Sequence, residues 1–312
     1  MLRYTADRRT IAFILTYFGL TAALWVWDPA WPVAVPMVVA LMVLSWICAV
    51  ITHNVVHCPV FRAKRANKVF QVFLTMTYGH PVSSFVPGHN LSHHRFTETA
   101  RDVMRTSKAR HSFNLLNLFS FAPSVGGAIF KGEWLFTKAM RRQRPSWFRQ
   151  MSIEFVVLWS VSLVLLVIDW RKFLVYFYLP HAFAAWGIIT INLLQHDGCD
   201  AHSEYNHSRN FTGKLFGWFT FNNGWHTAHH IKPGLHWSLL PAWHDENVAP
   251  HMDARLDEPS FFKYVWRAYL WKGGQRLRYD GTPVVIIEPL PDENWVPTPK
   301  TMPADLSLGA EA

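Results

Sequence analysis

The chain has 312 residues, of which 50% are hydrophobic and only 16% are charged. An ordinary soluble domain carries roughly 25% charged residues, so the composition favours a membrane protein. The net charge of +9 is not accompanied by a recognition helix, a zinc finger or an aromatic RNA-binding signature. We therefore expect no nucleic-acid partner, and we expect the basic residues to lie at anionic lipid headgroups.

Four apolar blocks follow one another in two close pairs. The first pair covers about 11–27 and 32–52, and the second covers about 153–168 and 173–194. A helix rises about 1.5 Å per residue and the hydrocarbon core of a bilayer is about 30 Å thick, so each block can span or nearly span it. The sequence therefore predicts an all-α integral membrane protein with four transmembrane helices in two hairpins. The alternative is a set of buried helices in a large soluble core.

The segments outside the four blocks are more mixed. Residues 69–86 and 113–136 are apolar but contain Gly and Pro, which predicts helices at the membrane interface or re-entrant segments rather than full spans. We assign 1–245 to one membrane domain and 246–312 to a C-terminal cytoplasmic extension. Because the chain becomes Pro-rich and acidic after residue 280, we expect this extension to be partly loosely ordered.

The distribution of Lys and Arg predicts the orientation of the spans. The sequence has 3 of them before the first block, none in the first hairpin turn, 15 in 52–151, 2 in 169–172 and 10 after residue 194. Positive residues concentrate on the cytoplasmic side of membrane proteins. Both termini and the long middle segment are therefore predicted to be cytoplasmic, where they would form a helical cap.

Three histidine clusters lie in these predicted cytoplasmic segments. They are HNVVH (His53, His57), HNLSHH (His89, His93, His94) and HTAHH (His226, His229, His230). On an α-helix, residues three or four apart share a face and adjacent residues diverge by about 100°. We therefore expect His89 and His93 to share a face, with His94 pointing elsewhere, and His229 to diverge from His230. Adjacent ligands that point apart suit two metal ions better than one.

The ligand types narrow the choice of metal but do not decide which metal binds. Imidazole suits iron, zinc, copper and nickel. A catalytic zinc site usually has three protein ligands and water, and the sequence has neither an HExxH motif nor paired-thiolate spacing. Its three cysteines, Cys48, Cys58 and Cys199, form no CxxC motif.

The pattern Hx3H, Hx3HH and Hx2HH on a four-span chain resembles the membrane fatty acid desaturase and hydroxylase superfamily, over about 11–245. The resemblance implies two iron ions, O2 as co-substrate and the eight clustered histidines as iron ligands. Asn192 and His196 are similar to an NxxxH element of stearoyl-CoA-type desaturases. That similarity implies that His196 is a ninth ligand and that Asn192 contacts the site through water. It assigns no role to His202, His207 or His236.

The resemblance implies oxidation of an unactivated C–H bond in a lipid acyl chain, and we expect a double bond as the product. The second cluster has three residues before its paired histidines, which is also typical of the alkane hydroxylase branch, so hydroxylation remains the alternative. The sequence has no HPGG cytochrome b5 signature and no GxGxxG fingerprint. We therefore expect a separate electron donor of the ferredoxin or cytochrome b5 type with a reductase, and a lipid or acyl-thioester substrate. A membrane metal transporter and a haem electron-transfer protein are the non-enzyme alternatives.

Overall fold

The computed structural model describes residues 1–271 and 274–297, and these residues are mostly helical. They form two compact units, 1–86 with 137–188 and 87–136 with 189–297. The α-helices in chain order are α1 (Arg8–Trp27), α2 (Trp31–Val55), α3 (Lys64–Tyr78), α4 (Val82–Val86), α5 (His94–Phe96), α6 (Asn114–Gln143), α7 (Pro145–Ile168), α8 (Trp170–Phe173), α9 (Leu179–His196), α10 (Lys214–Phe219), α11 (His226–Ile231), α12 (Leu240–Asn247) and α13 (Phe261–Val265), and the strands are β1 (Asn210–Phe211) and β2 (Asp257–Glu258).

Within the described residues, four helical segments are long and apolar enough to cross a membrane, as the sequence predicts. They extend beyond the apolar blocks because the helices continue into flanking polar residues. The segments are Thr5–Trp27, Trp31–Val55, Pro145–Ile168 and Trp170–His196.

Short turns end the first and third of these segments. Asp28 closes α1 with φ of 50°, in the left-handed region that Asp tolerates better than most residues, and a proline follows at the start of α2. Asp169 precedes α8 and accepts hydrogen bonds from two backbone N–H groups of its first turn. The Lys172 ammonium lies 3.3 Å from the Asp28 carboxylate, so both turns lie at the same end of the first unit.

A buried carboxylate holds α4 in the first unit. Glu154 of α7 has no exposed surface and accepts hydrogen bonds from the backbone N–H of Ser83 at 2.8 Å and from its hydroxyl at 3.0 Å. The Gln150 amide donates to the same carboxylate at 2.9 Å. The first of these bonds satisfies a backbone donor at the start of α4, the helix that precedes the second histidine cluster.

Most of the segment 113–136 belongs to α6, which continues without a break from Asn114 to Gln143 although it contains proline and glycine. Pro123 lies inside this helix, which shows that tertiary packing can override the low helix propensity of proline. Among the described residues α6 is not one of the candidate membrane spans, in agreement with the expectation that this segment does not cross the membrane.

In the second unit, β1 and β2 form a parallel pair with Asn210 opposite Asp257. Aromatic rings pack beside this pair, and the rings of Phe216 and Phe261 are stacked with centroids 4.5 Å apart. These contacts join α10, which precedes the third histidine cluster in the chain, to α13, which follows it.

The described part of the C-terminal extension makes specific contacts in the second unit. Arg276 forms a buried ion pair with Asp197, and Asp292 pairs with Arg105 and Lys108. The Trp295 side chain is also buried. Residues 298–312, for which we predict the loosest order, lie outside the described residues.

Candidate metal centre

The first histidine cluster lies at the end of α2, in the first unit. His53 belongs to the last turn of the helix and is buried, and His57 follows one turn later. Their ring centroids are 5.5 Å apart. The side-chain oxygen of Asn54 lies 3.1 Å from Nδ1 of His53. The i, i+4 spacing therefore brings the two imidazoles together, as predicted.

The second cluster lies on a π-helix, Pro87–His93, and not on an α-helix. A π-helix bonds residue i to residue i+5, and this geometry pairs His89 with His94, whose Nε2 atoms are 3.1 Å apart. The expectation that His94 would point away from His89 was therefore wrong. The physical reason is the wider helical turn, which leaves His93 to face a different group of histidines.

The third cluster is helix α11, and its two adjacent histidines diverge as predicted. The Nε2 atoms of His226 and His230, one helical turn apart, are separated by 3.1 Å. His229 instead approaches His94, with 3.0 Å between the Nε2 atoms. Neighbouring residues on one short helix thus contribute to two different groups.

In the second unit the imidazoles form two adjoining groups. The four-histidine group consists of His93, His196, His226 and His230, and one nitrogen from each lies within 4.8 Å of the others. The three-histidine group consists of His89, His94 and His229, whose nitrogens meet the same limit. The stacked rings of His94 and His230, with centroids 4.2 Å apart, connect the two groups.

The NxxxH element contributes His196 to the four-histidine group. Its Nε2 lies 2.9 Å from Nε2 of His226, and its Nδ1 donates to the backbone carbonyl of His207 at 3.0 Å. Asn192, one turn earlier on α9, is buried and donates its amide to the carbonyl of Met104 at 3.0 Å.

The environment of His93 tests whether these groups fit a metal ion. Its Nδ1 lies 2.9 Å from the Asp102 carboxylate, and neither side chain has exposed surface. Among the described residues Nε2 of His93 is buried and has no hydrogen-bond partner. A carboxylate on one nitrogen and an unsatisfied second nitrogen are what a metal-ligating histidine requires. The residues therefore fit a metal.

The distances between the ring nitrogens and the direction of the pKa shift of His230 agree with a metal site. Nitrogens about 2.0–2.1 Å from an ion in tetrahedral geometry stand roughly 3.3 Å apart, close to the 2.9–3.1 Å between these Nε2 atoms. Burial lowers the pKa of His230 well below its ordinary value, and the neighbouring imidazoles lower it further. A neutral imidazole is the form that binds a metal.

Comparison with known families now identifies the chain. The family model for fatty acid desaturase matches residues 29–260. The chain belongs to the fatty acid desaturase family. A comparison with curated proteins gives no match.

Membership makes the chain an oxidoreductase that acts on acyl lipids in a membrane, and the histidine groups supply a metal site compatible with iron. All three histidine clusters of this desaturase-family chain lie within the matched residues. The match ends before Phe261, so α13 and the described residues 274–297 lie beyond it.

Sequence reasoning missed Asp102, the carboxylate behind His93. It lies nine residues further along an irregular loop, and no helical or strand period connects the two positions. Glu98 turns the loop back with φ of 62°, and its backbone N–H donates to the Asp102 carboxylate at 3.0 Å. The only available signal was an acidic residue shortly after a histidine cluster.

Other histidines of the chain have partners away from these groups. His181, inside α9, lies 2.9 Å from the Tyr17 hydroxyl, so it belongs to the packing of the first unit. His244 contacts the Asp257 carboxylate at 3.1 Å, and His236 accepts a hydrogen bond from the backbone N–H of Ser238. His202 is exposed. His207 differs from all of these, since its ring centroid lies 5.3 Å from that of His230.

Proposed function

We propose that this protein is a di-iron fatty acid desaturase that introduces a double bond into a lipid acyl chain. The observation that carries the proposal is the division of adjacent histidines, 93 from 94 and 229 from 230, between two adjoining groups. One metal ion would not need ligands that point apart, and a haem would need a single axial pair.

The proposed site has nine histidine ligands and one asparagine that acts through water. His93, His196, His226 and His230 would bind one iron. His53 and His57 would join His89, His94 and His229 at the other, because α2 ends with two imidazoles that share a face. Asn192 would contact the site through water, since its amide already donates to Met104 and its carbonyl oxygen is an acceptor.

The reaction balances with one O2. Desaturation of –CH2–CH2– with O2, two electrons and two protons gives –CH=CH– and two water molecules. An iron pair supplies the redox chemistry that turns O2 into an oxidant for an unactivated C–H bond. The buried imidazoles keep the metals in a water-poor environment, and the four apolar helices offer a hydrophobic surface to the acyl chain.

Hydroxylation is the second candidate, and the Hx3HH spacing of the second cluster favours it. It uses the same oxidant and electrons but leaves one oxygen atom on the carbon. The position of the substrate carbon relative to the metals decides between the two products. Mass spectrometry of lipids from cells that express the chain separates them, since desaturation removes two hydrogens and hydroxylation adds one oxygen.

The two electrons would come from a separate donor of the ferredoxin or cytochrome b5 type with its reductase, because the chain has no b5 or dinucleotide signature of its own. The substrate would be a lipid or an acyl thioester. We place both termini and the metal centre on the cytoplasmic side, as the distribution of Lys and Arg indicates.

Metal analysis of the purified protein tests the proposal directly. We expect about two irons per chain and no Soret absorption band, and His93→Ala should abolish turnover and lower the iron content. The exposed His202→Ala is the matched control and should retain both. Zinc alone, or a haem spectrum, would exclude a di-iron enzyme.

A further inference from the structure

His207 lies beside the four-histidine group, on the loop that follows α9. Its backbone carbonyl accepts the hydrogen bond from Nδ1 of His196 at 3.0 Å. The backbone N–H of Arg209 donates to the carbonyl of Gln195 at 2.6 Å. The loop is thus fixed to the end of α9 at His207 and again two residues later.

The side chain of His207 has a defined tautomer. Its Nδ1 lies 2.9 Å from the backbone carbonyl of Glu204. A carbonyl oxygen only accepts hydrogen bonds, so Nδ1 must carry the proton, and in the neutral ring Nε2 is left with a lone pair.

Nε2 of His207 is the unexplained atom of this loop. It is buried, and the part of the chain that the structure describes offers it no hydrogen-bond partner. An unsatisfied buried acceptor is destabilising, so such an atom calls for a water or an ion.

The ring of His207 has members of the four-histidine group as neighbours. The ring of His207 lies 5.3 Å from that of His230 and 6.3 Å from that of His196, measured between centroids. Neighbouring rings within the four-histidine group are 4.6–4.9 Å apart, with the shorter distance between His226 and His230. His207 therefore stands at the edge of the group, slightly farther out than its members.

The hydrogen bonding of His207 also repeats that of the group. His93 has Nδ1 on a carboxylate, and His196 has Nδ1 on a backbone carbonyl. Metal-ligating histidines use one ring nitrogen in this way and leave the other for the metal. His207 has the same arrangement, with the carbonyl of Glu204 as its partner.

We propose that His207 is a fifth imidazole for the metal ion of the four-histidine group. This inference rests on the proposed function, because it needs a metal at that group. It goes beyond the nine histidines assigned above, and it gives each of the two metals five candidate imidazoles.

Cobalt titration of the apo-protein tests the inference without measuring turnover. Protein stripped of metal in detergent is titrated with Co²⁺ against a competing chelator, and the visible d–d absorption is recorded. We expect His207→Ala to weaken one of the two equivalents by about 10–100-fold, the range seen when a metal site loses a supporting residue, and to change its spectrum. Added imidazole should restore the wild-type spectrum by filling the space that the side chain leaves.

Two control variants distinguish a failure of the His207 inference from a failure of the proposed metal centre. His202→Ala alters an exposed histidine of the same loop and should leave both equivalents unchanged. His93→Ala should weaken the four-histidine group whether or not His207 is a ligand. If His93→Ala binds Co²⁺ like the wild type, the proposed metal centre itself is wrong.

If only His93→Ala loses affinity and His207→Ala matches the wild type in affinity and spectrum, His207 is not a ligand and the inference is overturned. Should His207→Ala fail to fold, as judged by gel filtration and circular dichroism, His207→Gln replaces it. Glutamine keeps much of the volume and a donor for Glu204 but lacks an imidazole. The same two outcomes then apply to His207→Gln.

Discussion

Asp102 determines how His93 presents itself to a metal. The carboxylate receives hydrogen bonds from the backbone N–H groups of Glu98 and Met104 as well as contacting Nδ1 of His93. These bonds fix the carboxylate, and the carboxylate in turn fixes the orientation and tautomer of the imidazole. A charged partner also increases the basicity of the other ring nitrogen.

We expect Asp102→Asn to lower metal affinity by about 10–100-fold, because the neutral amide orients His93 less firmly and adds no negative charge. The measurement is a chelator competition at constant pH with the purified protein. Asp245→Asn, which changes an exposed carboxylate on α12, is the control and should bind metal like the wild type. Equal affinities for the two variants would contradict the role of Asp102.

At this scale the sequence predicts the ligand types and not their supporting residues. The spacing in HTAHH is sufficient to predict that His229 and His230 diverge, since an α-helical period relates them. Asp102 and His207 lie on irregular loops, where positions depend on turns such as the one at Glu98. No local period encodes such contacts.

The π-helix Pro87–His93 explains the length of the second cluster. In an α-helix, an Hx2HH motif places its first and last histidines four residues apart on one face. Here the motif is one residue longer, and the i, i+5 turn brings His89 and His94 together again. The extra residue is therefore absorbed by the wider turn, so the longer spacing carries less information about the reaction than the sequence suggests.

Removing one residue from this turn should preserve the metal centre. Asn90 is the best position, since Leu91 and Ser92 are buried and the Ser92 hydroxyl bonds the carbonyl of Arg101. We expect the deletion of Asn90 to convert the turn to an α-helix and to retain two metal ions per chain. Insertion of one alanine after Asn90 should separate His89 from His94 and lower the metal content. Loss of metal in the deletion variant alone would show that the π-helix is itself required.

Residues 274–297 of the C-terminal extension contact the loops that carry site residues. Arg276 donates to the Asp197 carboxylate through Nε at 2.9 Å, and it also bonds the carbonyls of Thr106 and Ala109. Asp197 directly follows His196. One buried guanidinium thus joins the end of α9 to the loop after Asp102.

We expect Arg276→Gln to lower the free energy of unfolding by about 3–5 kcal/mol, because it leaves the Asp197 carboxylate buried without its counter-ion. Both side chains are no more than 5% exposed, so water screens the pair little. Arg278→Gln, at an exposed position two residues later, should change stability by roughly 0.5 kcal/mol or less. Denaturation in detergent, followed by circular dichroism, compares the two variants. A similar small loss for both would mean that the Arg276 pair contributes little.

For the whole molecule, charge and geometry support one orientation. The ion pair between Lys172 and Asp28 places the turns after α1 and α7 at the same end of the first unit. Of the 30 Lys and Arg residues, only 2 lie in 169–172 and none lies in the first turn. The sequence predicts the four apolar helices well, because the apolar run of each helix can be recognised by itself. The contact between the two turns depends on packing between helices, which no single segment encodes.

Cysteine labelling in intact cells tests this orientation. Cys58 and Cys199 are first replaced by serine, and Cys48 is buried and should not react. Ala30→Cys, in the exposed first turn, should react with a membrane-impermeant maleimide added outside the cell, because positive-inside topology places that turn away from the cytoplasm. Ser112→Cys, exposed and in the segment that carries 15 basic residues, should react only after the membrane is permeabilised. The reverse pattern would place both termini and the histidine clusters outside the cytoplasm, where an intracellular ferredoxin or cytochrome b5 could not reach them.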